Sequence, residues 1–248
     1  MRSNPGGMKI SVVVPAFNEE KLLSESLRSI RAAMTVLEEK GWTAELIVCD
    51  NNSTDSTGEI ARAAGARVVF EPVNQIGRAR NTGAAAATGD WLIFIDADSH
   101  PSPALFRDVA ETIQRGNVLA GGCTVRLDTP HLLAGLLTWG WNQISRLKKW
   151  AAGSFIFCAA EGFRKVGGFD EALYASEELD LFERLKKLAR ATGQRIVILH
   201  RHPLVTSARK IHLYTLREHL RFLSKAALRP RHTLRDRAQC HTWYDGRR

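Results

Sequence analysis

Two carboxylates at the end of an apolar run, Asp96-Ala97-Asp98 after Trp91 to Ile95, are the residues best placed to do chemistry. In a strand, residues i and i+2 point to the same side. A strand ending in this triplet can therefore offer both carboxylates to one hard cation, Mg²⁺ or Mn²⁺. Such an ion keeps waters and takes substrate phosphate oxygens as its other ligands. The same triplet can also be a pair of solvated loop aspartates, but the apolar run before it favours a strand end.

Three further groups have chemical potential. Asp50 closes a second apolar run and can either cap the next turn with Asn51, Asn52 and Ser53 or accept a hydrogen bond from a nucleotide base. Glu177, Glu178 and Asp180 crowd three carboxylates into four residues. Mutual repulsion can raise one pKa and make a general base, whereas acids at a helix start can simply complement its dipole. Arg80, in Gly77-Arg78-Ala79-Arg80-Asn81, can bind phosphate or lock Asp96 or Asp98 in a salt bridge.

Positioning these groups requires a regular frame. Ile10 to Val14 reads as a buried strand stopped by Pro15, and Glu19 to Lys40 as a helix with Leu23, Leu27, Ile30, Met34 and Leu37 on one face. Strands follow at Glu45 to Cys49, Ala66 to Phe70 and Trp91 to Ile95. Between them lie a helix opened by Ser53-Thr54-Asp55 and ended by Gly65, and an Ala-rich helix over Ile76 to Ala87. A helix over Pro103 to Arg115 comes next. This alternation predicts βαβ units and a mainly parallel, Rossmann-like sheet flanked by helices, with Asn18, Asp50, Asp96 and Asp98 gathered at the strands' carboxyl edge.

The second half is less regular. It predicts strands at Val118 to Leu127, Gly153 to Ala159 and Arg195 to Leu199. Its helices are expected at Leu132 to Trp150, Glu177 to Ala191 and Leu213 to Leu228. The organisation expected is a leader over 1–7, with Met8 as a candidate start, halves over 8–116 and 117–210, and a basic C-terminal helix and tail over 211–248.

Composition excludes several classes. No apolar run approaches the roughly 18–20 residues of a membrane span, and residues 1–7 lack the apolar segment of a secretory signal. Cys49, Cys123, Cys158 and Cys240 form no C-x-x-C pair, which suits reduced, buried thiols in a cytoplasmic protein. The formal net charge is +9; residues 201–248 carry 12 Lys+Arg against 3 Asp+Glu, so the whole excess lies there. That predicts an anionic partner: phosphate, lipid headgroup or nucleic acid. Arg217, Arg221, Lys225 and Arg229 form a stripe that suits either an interfacial membrane helix or a solvated face. Leu132 to Trp141 offers a second apolar stretch for membrane, dimer or core contact.

Taken in order, these pieces resemble the family 2 glycosyltransferases of the GT-A fold, over roughly residues 8–210. Val14 to Glu19 looks like that family's opening strand and nucleotide-binding turn, which implicates Pro15, Phe17, Asn18 and Glu19. Val48 to Asp55 looks like its base-contacting segment, implicating Asp50 and Asn52, although the family more often has Asp-Gly where Asn51-Asn52 stands. Asn74 to Asn81 and Gly83 to Gly89 match the helix leading to the metal strand. Phe94 to Asp98 matches the metal motif, with Ala97 against the nucleotide. Gly167 to Glu171 matches the loop before the acceptor site. Ser176 to Leu181 aligns with the family's G-E-D-x-D-L pattern, so the resemblance gives Glu178 the catalytic base, with Glu177 and Asp180 as alternatives.

The resemblance further implies metal-dependent transfer of a sugar from a nucleoside-diphosphate sugar to a hydroxyl acceptor, lipid-linked or small, by a single inverting displacement. It adds His202, with neighbouring His200, as a metal or diphosphate ligand, where a satisfied surface imidazole is the alternative. Arg209 and Lys210 become a lid over the diphosphate.

Two rival readings account for fewer features. A nucleotidyltransferase would also use paired Asp and Mg²⁺, but its Gly-rich, Arg/Lys-containing loop is missing at Pro15 to Glu19. A non-catalytic nucleotide-sugar or nucleic-acid binding module would explain the basic tail but not the acidic groups, and the tail lacks the interleaved aromatics of a single-strand platform. The first strand is followed by neither a G-x-G-x-x-G nor a Walker sequence, which argues against NAD, FAD or P-loop chemistry.

Overall fold

The structure is a computed structural model in which residues 7–129, 132–209 and 234–240 are described. Its frame is one eight-stranded sheet in the order β3-β2-β1-β4-β7-β6-β8-β5. The first four are β1 (Lys9–Ala16), β2 (Thr43–Asp50), β3 (Arg67–Phe70) and β4 (Trp91–Ile95), all mutually parallel where they pair. Between them run α1 (Leu23–Glu39), α2 (Thr57–Ala63) and α3 (Ile76–Ala86). Every residue of β1 after Lys9 is buried, as expected of a parallel strand covered on both faces. Pro15 does not stop this strand: it continues to Ala16, with Pro15 opposite Cys49.

After β4 come the two-residue β5 (Ser99–His100), α4 (Pro103–Gln114), β6 (Val118–Leu127), α5 (Leu132–Lys148) and β7 (Phe155–Ala159). The chain continues through α6 (Ala160–Lys165), α7 (Glu177–Thr192) and β8 (Arg195–Thr206). Strand β7 runs antiparallel to both β4 and β6, and β8 runs parallel to β6. The sheet is therefore mixed, with its parallel block on the first-half side. Neither β5 nor α6 is foreseen in the sequence pattern, and β8 extends well past Leu199. That places His200 and His202 inside a strand instead of after one. A shift in the β6–β8 register between Cys123 and Val125 marks where the longer strand resumes pairing. The expected helix over Leu213 to Leu228 lies outside the described residues.

Two apolar layers hold the helices to the sheet. One joins alternate residues of β1, β2 and β4 to α1 and α4; the other joins the opposite faces to α6 and α7. Helix α4 begins where Ser102 accepts a hydrogen bond from Leu105 N–H at 3.1 Å, with Pro103 in the first turn. Helix α3 approaches β1 very closely at Gly83, where a Cβ would sit 2.4 Å from Val13 Cγ1. All four cysteines are buried free thiols.

Candidate active site

Parallel strands β1, β2 and β4 end on one edge, and the turns that follow them carry the polar residues expected there. After β1, Asn18 takes a left-handed backbone (φ 51°). Its N–H donates to Ser53 Oγ at 3.0 Å, and its Oδ1 accepts from Thr54 N–H at 2.8 Å. Asp50, the last residue of β2, accepts from Ser53 N–H at 3.0 Å, so its capping role is realised. Asn52 is exposed with φ 65°. Pro15 is buried in β1, Phe17 is half-buried, and Ala97 is buried in the turn after β4.

The Asp96-Ala97-Asp98 segment is not strand. The strand ends at Ile95 and the chain turns, with Ser99 N–H donating to Asp96 O at 3.1 Å. The expectation that strand alternation aligns the two carboxylates is corrected: the turn gives each its own guanidinium. Asp96 Oδ1 lies 2.9 Å from Arg80 Nη2, and Asp98 Oδ2 lies 3.7 Å from Arg209 Nη2.

Arg80 is the centre of the arrangement. Only 1% of its side chain is exposed, and it pairs with Glu177 at 2.6 Å while Nη2 also donates to Gly153 O at 2.9 Å. Its guanidinium stands 5.2 Å from the Phe169 ring. Burial alone would lower its pKa, but Asp96 and Glu177, joined by Glu178, raise it, so the charge persists. Of its two readings, phosphate ligand or lock on the aspartate turn, the structure shows the lock.

The three acids at the start of α7 separate cleanly. Glu177 is buried on Arg80. Asp180 turns away to Arg184, with Nε donating at 2.8 Å. Glu178 takes neither partner. Burial pushes its carboxyl up to about 8, Glu177 and Asp96 add to that, and Arg80 opposes it. A Cβ placed on Gly153 would lie 3.7 Å from the Glu178 carboxyl carbon and 3.2 Å from Arg80 Nη2. Glu178, Arg80 and the chain before β7 thus share one small space beside the Asp96 turn.

Arg209 closes the other side. It makes a two-pronged pair with Glu19, Nη1 to Oε2 at 3.0 Å and Nη2 to Oε1 at 2.8 Å, and reaches Asp98 with the same Nη2. Glu19 is 5% exposed, so it faces Arg209 and not solvent. Arg209 Nε is buried and has no hydrogen-bond acceptor among the described residues. Lys210, the other half of the expected lid, lies outside the described residues.

His202 is not brought to the aspartates. Its Nδ1 is 2.9 Å from Asp108 Oδ2 on α4. Among the described residues, no group of three or more His, Cys, Asp and Glu side chains is arranged to hold a metal. Asp96 and Asp98 would supply two hard oxygen donors on one turn. That fits a cation completing its shell with water and substrate oxygens, and does not fit an all-protein cage.

Some residues position the site through partners that the sequence does not announce. Asn51 is buried; its Nδ2 donates to Val73 O at 2.6 Å and Glu71 O at 3.2 Å, and its Oδ1 accepts from Gln75 N–H at 2.8 Å. Asn81 holds the loop before α7, exchanging hydrogen bonds with Phe169 N–H and O, both at 2.9 Å. Gly168 in that loop has φ 69°, and a Cβ there would meet Asn81 Oδ1 at 2.7 Å. These partners sit about 20 to 90 positions apart, so no local pattern announces them.

The family model for glycosyl transferase family 2 matches residues 11–164. An uncharacterised glycosyltransferase, EpsJ of Bacillus subtilis (strain 168), is 30% identical over 119 residues, 46% of this chain and 33% of that protein. The chain thus spans about a third of the length of that relative. Among solved structures, the mannosyltransferase PcManGT from Pyrobaculum calidifontis, in complex with GDP-Man and Mn²⁺, superposes with a TM-score of 0.65 at 20% identity, covering 95% of this chain and 69% of that one. Glucosyl-3-phosphoglycerate synthase from Mycobacterium tuberculosis, in complex with Mn²⁺, UDP and phosphoglyceric acid, gives 0.60 at 23% identity, covering 93% and 81%. The fold is that of the GT-A glycosyltransferases. The family match covers more than half of the chain and includes both the aspartate turn and Arg80: this protein belongs to glycosyl transferase family 2.

Proposed function

We propose that the chain transfers a sugar from a nucleoside-diphosphate sugar to a hydroxyl acceptor, with Mg²⁺ or Mn²⁺ and inversion at the anomeric carbon. The observation that carries this reading is Glu178: a carboxyl raised to about 8, beside the Arg80-held aspartate turn and free of the partners that occupy Glu177 and Asp180. As the base, its carboxylate takes the acceptor hydroxyl proton while that oxygen attacks the sugar C1. The C1–O bond to the nucleoside diphosphate breaks, and its electron pair stays on the departing phosphate oxygen. A single carboxylate suffices for such a displacement, whereas hydrolysis of a glycosidic bond commonly uses a pair.

Asp96 and Asp98 would hold the cation, whose chemistry is to neutralise charge on the departing diphosphate. The Mn²⁺ complexes of the two structural neighbours support this assignment. Asn18, Asp50 and Asn52 would line the nucleotide side in the 8–116 half, and the 117–210 half would contribute Glu178 and the acceptor. The four buried free thiols suit a reducing cytoplasmic setting.

Thermal shift of the full chain against UDP, GDP and dTDP, each with and without Mn²⁺, tests the reading. A shift with at least one nucleotide that grows with Mn²⁺ is expected; no shift with any of them overturns it.

A further inference from the structure

Helix α5 presents its apolar surface outward. Leu132, Leu136, Leu137, Trp139, Ile144 and Leu147 are between 48% and 96% exposed. At about 100° per residue, these six side chains span one arc of roughly 160°, in which exposed Gln143 is the polar exception. The opposite arc is anchored to the protein. Ala134 and Ser145 are buried, and Asn142 clamps β6 by accepting from Val125 N–H at 3.0 Å and donating to Val125 O at 2.9 Å. The exposed arc is therefore the face this helix leaves over after packing, and an exposed apolar patch of this extent marks a contact surface.

Charge identifies the partner. On the same helical projection, Arg146 falls just outside one edge of the apolar arc and Lys148 just outside the other. Both are exposed, and Lys149 follows them. No Asp or Glu occurs between Thr129 and Ala160. Apolar side chains flanked by long basic ones with no acid is the pattern of a helix lying in a lipid headgroup layer, where the leucines enter the acyl boundary and the amines remain with the phosphates. Among the described residues no helix is long and apolar enough to cross a membrane, so the contact is interfacial.

We infer that the outer face of α5 docks the protein on an anionic lipid surface. A groove of about 850 Å³ runs from Leu132, Leu136 and Trp139 to Leu127 and Asp128. Asp128 Oδ1 accepts from Ala208 N–H at 3.0 Å, next to the Arg209 that reaches Asp98. Docking on this face sets the groove and the aspartate turn beside the bilayer surface.

Co-sedimentation of the full chain with phosphatidylcholine vesicles, with and without phosphatidylglycerol, tests this. The wild type is expected to sediment with the anionic vesicles at low salt and less with the neutral ones. Leu136→Glu with Leu147→Glu should weaken anionic binding at least tenfold with no change in the circular-dichroism melt, since both side chains are solvent-exposed. Arg146→Gln with Lys148→Gln should weaken it more on anionic than on neutral vesicles. Brominated acyl chains should quench part of the tryptophan emission in the wild type and less in Trp139→Phe.

Three results overturn the proposal. One is absence of wild-type binding to anionic vesicles. Another is binding that survives the Leu136/Leu147 pair but is lost when Arg217, Arg221, Lys225 and Arg229 become Gln. The third is a dimer by light scattering that the Leu136/Leu147 pair converts to monomer, which would make a second copy the occupant.

Discussion

Arg80 and Glu177 meet at 2.6 Å across 97 residues of sequence, with 1% and 5% of their side chains exposed. Because Arg80 also holds Asp96, the pair fixes the start of α7 against the aspartate turn. Arg80→Met leaves Glu177 as an uncompensated buried carboxylate and should cost about 3–5 kcal/mol of stability. Arg80→Lys should recover part of that stability but not the two-sided grip, because an ammonium cannot present a planar fork. Urea denaturation at unchanged m-value checks both; an Arg80→Met variant as stable as the wild type would remove Arg80 from this role.

Among the three acids of α7, Glu178 is the one expected to carry turnover. Glu178→Gln should lower kcat by at least a hundredfold and leave nucleotide affinity unchanged. Asp180→Asn should be mild, since Asp180 is occupied by Arg184. An active Glu178→Gln beside a dead Asp180→Asn would transfer the base to Asp180.

The raised pKa of Glu178 also has a sign in stability. Its folded value of about 8 lies above its ordinary 4.5, so the folded state binds more protons than the unfolded one between these values. Stability from this group therefore falls as pH rises through that window. Glu178→Gln removes the slope. Its Tm relative to wild type should climb from about pH 5 to about pH 9; a constant difference would show that Glu178 is not raised. In turnover, kcat/KM should rise with pH as the free enzyme's Glu178 ionises.

Arg209 neutralises the side where the metal is proposed to bind. Burial alone would lower its pKa, but its hydrogen bonds and charge contacts with Glu19, together with Asp98, raise it. Arg209→Met should tighten Mn²⁺ binding in the absence of nucleotide, because a fixed cation is gone, yet lower transfer, in keeping with the diphosphate-donor role that the family resemblance implies for Arg209. Calorimetry with Mn²⁺ alone and turnover at saturating metal separate the two effects. Asp98→Asn should abolish both Mn²⁺ binding and metal-dependent transfer; wild-type turnover in that variant would end the metal assignment.

The elements that position the site are legible where short-range pattern decides them. The strands at Trp91 to Ile95 and Val118 to Leu127 read correctly because apolar runs bounded by turns leave few alternatives. Helix α7 reads within one residue because Leu181, Leu185 and Ala189 recur on one face and Gly193 ends it. Strand β8 is read short because Arg201 and His202 interrupt its apolar run; pairing with β6 carries it on to Thr206. The alternation of a strand does not carry past Ile95 to align Asp96 with Asp98, because identity and spacing say nothing of how the backbone turns. Arg80 as a lock was one of two readings, and only its buried partners decide between them. Asn51 and Asn81 lie in segments the sequence singles out, but their partners are not legible there, because hydrogen bonds across tens of residues follow from the fold and not from the neighbours in sequence.

The reversed strand β7 has a mechanical consequence. Because it is antiparallel to β4, it begins at the edge where β4 ends, Phe155 opposite Ile95, while Ile156 lies opposite Gly122 in the middle of β6. Helix α5 therefore leaves that edge after β6 and returns to it through Gly153, which holds Arg80, and Ser154, whose carbonyl accepts from Asp96 N–H at 3.2 Å. Its last turn is pinned by Ser145 Oγ donating to Trp150 O at 2.6 Å, so the short return has little slack. Load placed on the outside of α5 reaches the aspartate turn through the short segment after Lys148 and the hydrogen bonds that Gly153 and Ser154 accept from Arg80 and Asp96, which makes the helix a handle on that edge.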